Sequence, residues 1–478
     1  MSRPRLPLNS LPVWTSFNNG NLSKVVEVKS VPDKGLGLIA KDGSAAIGDA
    51  PLISIPHSLV LNSEAVEEYA KEDRSFRKLL DSCGHKSRRH DILLFLLVHL
   101  VLSSDNQEHA GLPNPWTEYV KLLDDTIPVP TLWEEDERSL LRGTSLEAAL
   151  NAKMLALTNE FEELRDKSSD IECWNAAFWD NDSVHLEDWL LVDAWYRSRV
   201  LELPRSGPSL VPCIDMVNHS TDANAYYEEN TNDDVILLLR PGADFKEGDE
   251  VNISYGSEKP AAEMLFSYGF IDSHSVARSL RLPLRPLPDD PLGKAKVHAF
   301  QDVPAVDIKE VDGKVICTSS FAYLMILNEE DGLDFRLLQD TDGDRELRTF
   351  WRDQDVTEMT DSFDQLVSDH ELCSVFKLRV NMVISQRLEE QLERLSPFSA
   401  DDGNAASVTD LPSTSNAANA RALRIIEKDV LDKAVAVLEE QRTELLALEE
   451  VTAYLGSMAI FQGGLSEVPE DDSSDEFS

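Results

Sequence analysis

No stretch of this chain is apolar for long enough to cross a bilayer. The longest run, Ile92–Leu102, has 11 residues and contains His99, against the ~20 that a membrane-spanning helix needs. It reads as a buried helix, and no membrane partner is expected. Cysteine is sparse: Cys83, Cys173, Cys213, Cys317 and Cys373 form no Cys-x-x-Cys pair. That speaks against a cysteine zinc site, and for a reducing compartment, cytoplasmic or nuclear. Positive charge is scarce too, with 45 Lys and Arg against 87 Asp and Glu and a formal net charge of −42. Such a surface repels nucleic-acid phosphates and draws in basic partners, so a basic protein or peptide is the expected partner. Residues 1–14 have no continuous apolar core, because Pro4, Pro7 and Pro12 interrupt it; no secretory leader is expected.

What is present fits a globular protein. The chain has 478 residues, 42% apolar and 28% charged, which indicates two or three folded domains. Over residues 22–70, KVVEVKSV, KGLGLIA and PLISIP are short Val- and Ile-rich runs broken by Gly and Pro, hence short strands. Helical spacing follows over 64–205, where Trp116, Tyr119 and Val120, then Trp189, Val192 and Tyr196, recur at three- and four-residue intervals. NAYYEEN and DVILLLRP predict a hairpin, DEVNISYG another strand, and AAEMLFSYGF a short helix ending at Gly269. Beyond residue 273 the chain reads as helical, with Val380, Ile384, Leu388, Leu392 and Leu395 on one face. Residues 397–420 read as a flexible loop, and a second amphipathic helix is expected from about Ala422 to Glu450.

Several short segments could carry chemistry, and each also has a plain structural reading. In KGLGLIA, Gly35 and Gly37 flank Leu36; they let backbone approach a ligand, or simply make a tight strand entry. DMVNHS, residues 215–220, gathers Asp215, Asn218, His219 and Ser220, residues that also favour ordinary turns. GDEVNISYG delivers Tyr255 at a strand end, and FSYGFID repeats the Tyr-Gly pair 13 residues later at Tyr268. Either phenol could be a core tyrosine with a satisfied hydroxyl. QDTDGDRE lacks the Gly and Glu positions of a calcium loop and reads as a solvated acidic turn. No metal site is expected.

In this order, and together with PWTEYV, TLW, Gly143-Thr144 and a helix ending SRV, these segments resemble the SET-domain protein methyltransferases. The likeness is to the group of the Rubisco large-subunit and yeast ribosomal-protein lysine methyltransferases, and it covers roughly residues 22–460. It implies an α+β fold: a small multi-sheet β SET fold over 22–272 with a helical insertion at about 64–205. A 1–21 N-terminal extension would precede it. An all-α C-terminal substrate-binding domain would span 273–465, and an acidic tail 466–478.

The implied activity is methyl transfer from S-adenosyl-L-methionine to a lysine of a non-histone protein, such as a ribosomal protein or translation factor, by a monomer. The alternatives are histidine methylation and a non-catalytic SET-fold binding module. By the same resemblance, Lys34, Gly35 and Leu36 would cradle the cofactor, Arg199 would hold its carboxylate, and Asn218 and His219 would meet its methionine and adenine portions. Tyr255 and Tyr268 would be catalytic. Asp215 would line the acceptor channel or support the loop, an N-cap role being the alternative, and Tyr226 or Tyr227 would complete the aromatic channel. Ala261 departs from the Asn common in the family before the second Tyr. No cysteine cluster follows the core, unlike the histone-specific members.

Overall fold

The computed structural model describes residues 4–32, 34–43, 50–104, 111–180, 183–275, 277–339, 345–396 and 414–463. The chain forms two compact units. The first comprises Met1–Leu141, Leu146–Ala277 and Pro412–Ala422; the second comprises Arg142–Ser145, Arg278–Leu411 and Leu423–Ser478.

In the first unit, strands β1 (Asn21–Leu22), β2 (Val26–Val31), β3 (Gly35–Ala40) and β4 (Ile53–Ile55) precede a block of helices. Strands β5 (Leu201–Leu203), β6 (Gly207–Ser209), β7 (Ala225–Glu229), β8 (Val235–Leu239) and β9 (Glu250–Val251) follow it. They build three small antiparallel sheets, ordered β1-β4-β8-β7, β2-β3-β9 and β5-β6. The predicted hairpin is β7–β8, with Ala225 opposite Leu239. Strands from before and after the helical block therefore share sheets, as an interrupted β-fold requires.

The helix Arg88–Leu102 lies in the core, every residue from Ile92 to Val101 being buried. That explains an apolar run with no polar face. The neighbouring helix Leu186–Arg199 buries Asp193, which meets Arg89 at 2.7 Å, Lys153 at 2.8 Å and Arg197 at 3.2 Å. Part of the expected 1–21 extension, residues 8–17, packs into the first unit. Leu11, Trp14 and Thr15, spaced for one helical face, are buried in the helix Leu11–Phe17, and the Trp14 ring lies 4.9 Å from that of Tyr119.

The second unit corrects the all-α expectation. Besides the helices Ser320–Ile326, Cys373–Leu395 and Glu449–Gly463, it holds β10 (Ser279–Pro283), β11 (Ala305–Val311), β12 (Lys314–Thr318), β13 (Leu333–Gln339), β14 (Arg345–Trp351) and β15 (Gln354–Asp355). These form two three-stranded antiparallel sheets. The reason is local: Asp312-Gly313, both at positive φ, make a two-residue turn that brings Val311 opposite Lys314. The expected stripe does lie on Cys373–Leu395, with Val380, Ile384, Leu388 and Leu395 buried.

Gly143 and Thr144 belong to this unit. The Gly143 carbonyl accepts a hydrogen bond from Gln391 Nε2 at 2.6 Å, and a Cβ on it would lie 2.0 Å from the Arg394 carbonyl oxygen. Only glycine fits there. The second amphipathic helix begins at Ser415 and runs to Leu446, so residues 415–420 are helical and not loop. Residues 397–413, most of the acidic turn at 340–344, and the tail at 466–478 lie outside the described residues. Among the described residues, no helix is long and apolar enough to cross a membrane and no cluster of potential metal ligands occurs.

Candidate functional site

The segment DMVNHS is laced into the sheets at one end of the first unit. Asn218 and Ser220 clasp Ile253: Ile253 N donates to Asn218 O at 3.0 Å, and Ser220 N to Ile253 O at 3.0 Å. This places His219 beside Ile253 in a parallel bridge, two residues before Tyr255. The β3 strand presses on the same loop. A Cβ on Gly37 would sit 2.7 Å from Asn218 Nδ2, so the second glycine of the G-x-G permits close approach. Asn218 in turn donates to Glu250 Oε1 at 2.8 Å, and Glu250 Oε2 takes Lys34 Nζ at 2.7 Å.

Asp215 sits in a short 3-10 turn, Ile214–Met216, entered through Cys213 at φ 68°. That is a costly conformation for a residue with a Cβ, and it is held by tertiary contacts. The fully buried Tyr119 reaches in from PWTEYV; its hydroxyl accepts from Cys213 N at 2.8 Å and donates to Asp215 Oδ1 at 2.5 Å. The Arg199 guanidinium donates to Asp215 O at 3.1 Å and lies 3.7 Å from Asp215 Oδ2. Two buried atoms stay unpartnered here, Arg199 Nε and Asp215 Oδ2. Burial pushes the Asp215 carboxyl up to about 6, with Arg199 and Tyr119 pulling the other way.

His219 Nδ1 accepts from Tyr255 N at 3.0 Å, which leaves the ring proton on Nε2, facing Asp272 Oδ2 at 3.3 Å. Burial holds its pKa below the ordinary value despite Asp272, so the ring is neutral at pH 7. Tyr255 donates its hydroxyl to Val217 O at 2.8 Å, and burial raises its pKa. The phenol therefore stays protonated, with its proton committed and its lone pairs left to meet a donor. The Tyr268 ring centroid lies 4.6 Å from that of Tyr255, and Phe270 completes an aromatic group with His219.

These side chains line two adjoining hollows. The larger, about 590 Å³, takes Lys34, Gly35, Leu36, Arg199, Asn218, His219 and Phe270. Its size suits a nucleoside-bearing ligand, and the buried guanidinium with an unpartnered N–H suits a carboxylate. The smaller, about 320 Å³, takes Tyr227, Lys259 and Glu202. Ser198, Arg199, Asp215, Tyr255 and Tyr268 border both.

The structure thus brings together Lys34, Gly35, Leu36, Arg199, Asp215, Asn218, His219, Tyr227, Tyr255 and Tyr268. It lines neither hollow with Tyr226, because successive residues of β7 point to opposite faces and Tyr227 takes the inward one. Asp215 caps no helix of regular length; it borders both hollows. Sequence reasoning missed Tyr119, Glu250, Phe270, Asp272, Ser415 and Asn419. Tyr119 lay within a quoted motif, but nothing local showed that its hydroxyl meets Asp215.

The profile of the cytochrome c lysine N-methyltransferase 1 family matches residues 195–280, the stretch that carries most of these groups. SET domain-containing protein 8 of Schizosaccharomyces pombe is 28% identical over 324 residues, 66% of this chain and 71% of that protein. The ribulose-1,5-bisphosphate carboxylase/oxygenase large subunit N-methyltransferase of Pisum sativum is 25% identical over 62% of this chain and 58% of its own length. The actin-histidine N-methyltransferase of Gallus gallus, at 23% identity, aligns with 88% of this chain and 67% of that one. A crystal structure of the SET domain of LSMT bound to methyllysine and AdoHcy matches the fold with TM-score 0.68 at 20% identity, over 97% of this chain and 98% of that one. The chain thus has the fold of the SET domain of LSMT, and its sequence is similar to those of protein-lysine N-methyltransferases.

Proposed function

We propose that the chain is an S-adenosyl-L-methionine-dependent protein-lysine N-methyltransferase acting on a non-histone protein. One observation carries this reading: two hollows of different character meet at Tyr255 and Tyr268. Transfer of a group between two bound molecules needs such a junction. S-adenosylmethionine, when bound, supplies a methyl group on a cationic sulfonium. Arg199 would hold its carboxylate, with Asn218, His219 and the Lys34–Leu36 backbone along its length and Phe270 as an aromatic wall.

The protein's own part is alignment and exclusion of water. The Tyr255 oxygen, whose hydroxyl donates a hydrogen bond to Val217 O, accepts an N–H of the incoming amine and turns the nitrogen lone pair away from itself. Tyr227, Tyr255 and Tyr268 form aromatic walls for an alkyl stem, and they tolerate methylated ammonium by cation–π contact. No acid–base dyad is required, because the phenol remains neutral and the amine's proton leaves to solvent.

The net charge of −42 favours a basic substrate protein and disfavours nucleic acid. Five unpaired cysteines favour a reducing compartment, cytosol or nucleus. A monomer suffices, since every group named lies within one unit. Histidine methylation is the second reading, favoured by the long alignment with the actin-histidine enzyme. Incubation with methyl-labelled S-adenosylmethionine and a proteome extract, read by mass spectrometry, decides. Label on a lysine is expected. Label on histidine selects the second reading, and no transfer to any protein sinks the enzyme.

A further inference from the structure

A segment far beyond the SET core in sequence, 150 residues from Gly269 at Asn419, reaches the larger hollow. Ser415 and Asn419, four residues apart and so on one face of their helix, line it beside Gly269, Phe270 and Ile271. Their placement is fixed by side chains at three points. Thr414 Oγ1 and Asn416 Nδ2 donate to the two oxygens of Glu137, at 2.9 and 2.8 Å. Asn419 Nδ2 donates to the Gly269 carbonyl at 3.2 Å, at the end of the helix that carries Tyr268. Ala417 and Ala420 are buried, and residues 414–422 belong to the first unit.

We propose that this turn is a wall of the S-adenosylmethionine site, with Ser415 and Asn419 as cofactor-binding residues. The inference rests on the cofactor reading above. An asparagine amide has two N–H donors and a carbonyl oxygen, and one bond to Gly269 leaves capacity for a ligand's polar groups. Ser415 is exposed at the rim, where its hydroxyl meets whatever the hollow holds. None of the motifs that make the chain resemble its family includes either residue.

Two consequences follow. Cofactor affinity depends on a turn that lies far outside the core motifs. Conversely, cofactor binding steadies that turn, since a ligand bound to one arrangement of a segment shifts the population towards it.

The test uses the full chain and calorimetric titration with S-adenosylmethionine, alongside hydrogen exchange of peptides covering 414–422. For Ser415→Ala/Asn419→Ala, affinity is expected to fall about fivefold or more, as the loss of two hydrogen bonds predicts. Ser415→Phe tests the wall without touching the Gly269 tie. Its bulk starts from an exposed position, so folding is retained while binding drops. Lys428→Ala, on an exposed part of the same helix, leaves affinity unchanged. Residues 414–422 of the unaltered chain gain exchange protection on adding the cofactor. If the unaltered chain binds and the Ser415 and Asn419 variants bind equally well, or 414–422 gains no protection, the wall is refuted and the cofactor site stands. If the unaltered chain binds no S-adenosylmethionine, the cofactor reading itself fails.

Discussion

Two buried aspartates, one in the helical block and one at the candidate site, receive opposite treatment. Asp193 is surrounded by Arg89, Lys153 and Arg197 within 3.2 Å. Burial alone would raise its pKa, but the three cations pull it below the ordinary carboxylate value. Asp215 has one hydrogen bond from Tyr119 and a guanidinium at 3.7 Å, and one of its oxygens has no partner. Burial wins there and lifts it to about 6. The first arrangement spends all its polar capacity inside the fold and acts as a structural tie between helices. The second keeps a donor and an acceptor in reserve at the junction of two hollows, as a site that must bind something requires.

The largest effect is expected from removing the tie. Asp193→Ala removes the buried partner of three partly buried cations and should cost about 3 kcal/mol of unfolding free energy, measured by urea denaturation. A loss below about 1 kcal/mol would show that the cluster is no tie. Next comes Tyr119→Phe, which leaves Cys213 N and Asp215 Oδ1 without their partner and should cost about 1–3 kcal/mol. Because the Tyr119 hydrogen bond lowers the Asp215 pKa, the variant should also titrate Asp215 at higher pH by carboxyl-carbon NMR. An unmoved titration would remove the coupling.

A smaller effect separates the two aspartates by pH. Asp215 has a folded pKa near 6 against an ordinary 3.8, so its ionised form costs stability above pH 6. That cost fades as pH falls from 6 to 4. Relative to Asp215→Asn, the unaltered chain should therefore gain stability over that window, and a loss there would contradict the assignment. Asp193, with its pKa depressed, has the opposite sign; its contribution is complete above 3.8 and disappears only at lower pH. The smallest effect is expected at the rim. The Lys34–Glu250 pair has a half-exposed lysine, and Lys34→Ala should change stability by less than about 1 kcal/mol. A larger loss would make the rim part of the core.

The legible parts of the sequence were those whose cause is local. The Ile92–Leu102 run, the β7–β8 hairpin and the helix ending at Gly269 each follow from a pattern within a dozen residues. The site was legible as a set of short motifs, because its backbone is threaded through DMVNHS, KGLGLIA and the strand leading to Tyr255. What was hidden depends on long-range contacts. Tyr119 serves Asp215 across 96 residues, and Asn419 reaches Gly269 across 150. The strands of the second unit were passed over for a different reason. AVDIKEV and RELRTFW carry so many charges that their alternation is faint, although Asp-Gly at 312–313 was a readable turn signal. Tyr226 and Tyr227 could not be told apart without the register of β7, which the pairing of Tyr227 with Leu237 supplies.

The most direct measurement on the central claim is the effect of Tyr255→Phe on turnover and on S-adenosylmethionine binding in the same preparation. Loss of the hydroxyl that orients the amine should reduce kcat by roughly 100-fold or more, the scale of removing one positioned group at a reacting centre. The cofactor Kd should change by less than about threefold, because the Tyr255 hydroxyl is directed at Val217 and the acceptor side. Unchanged turnover with intact cofactor binding would contradict the account and take Tyr255 out of the chemistry.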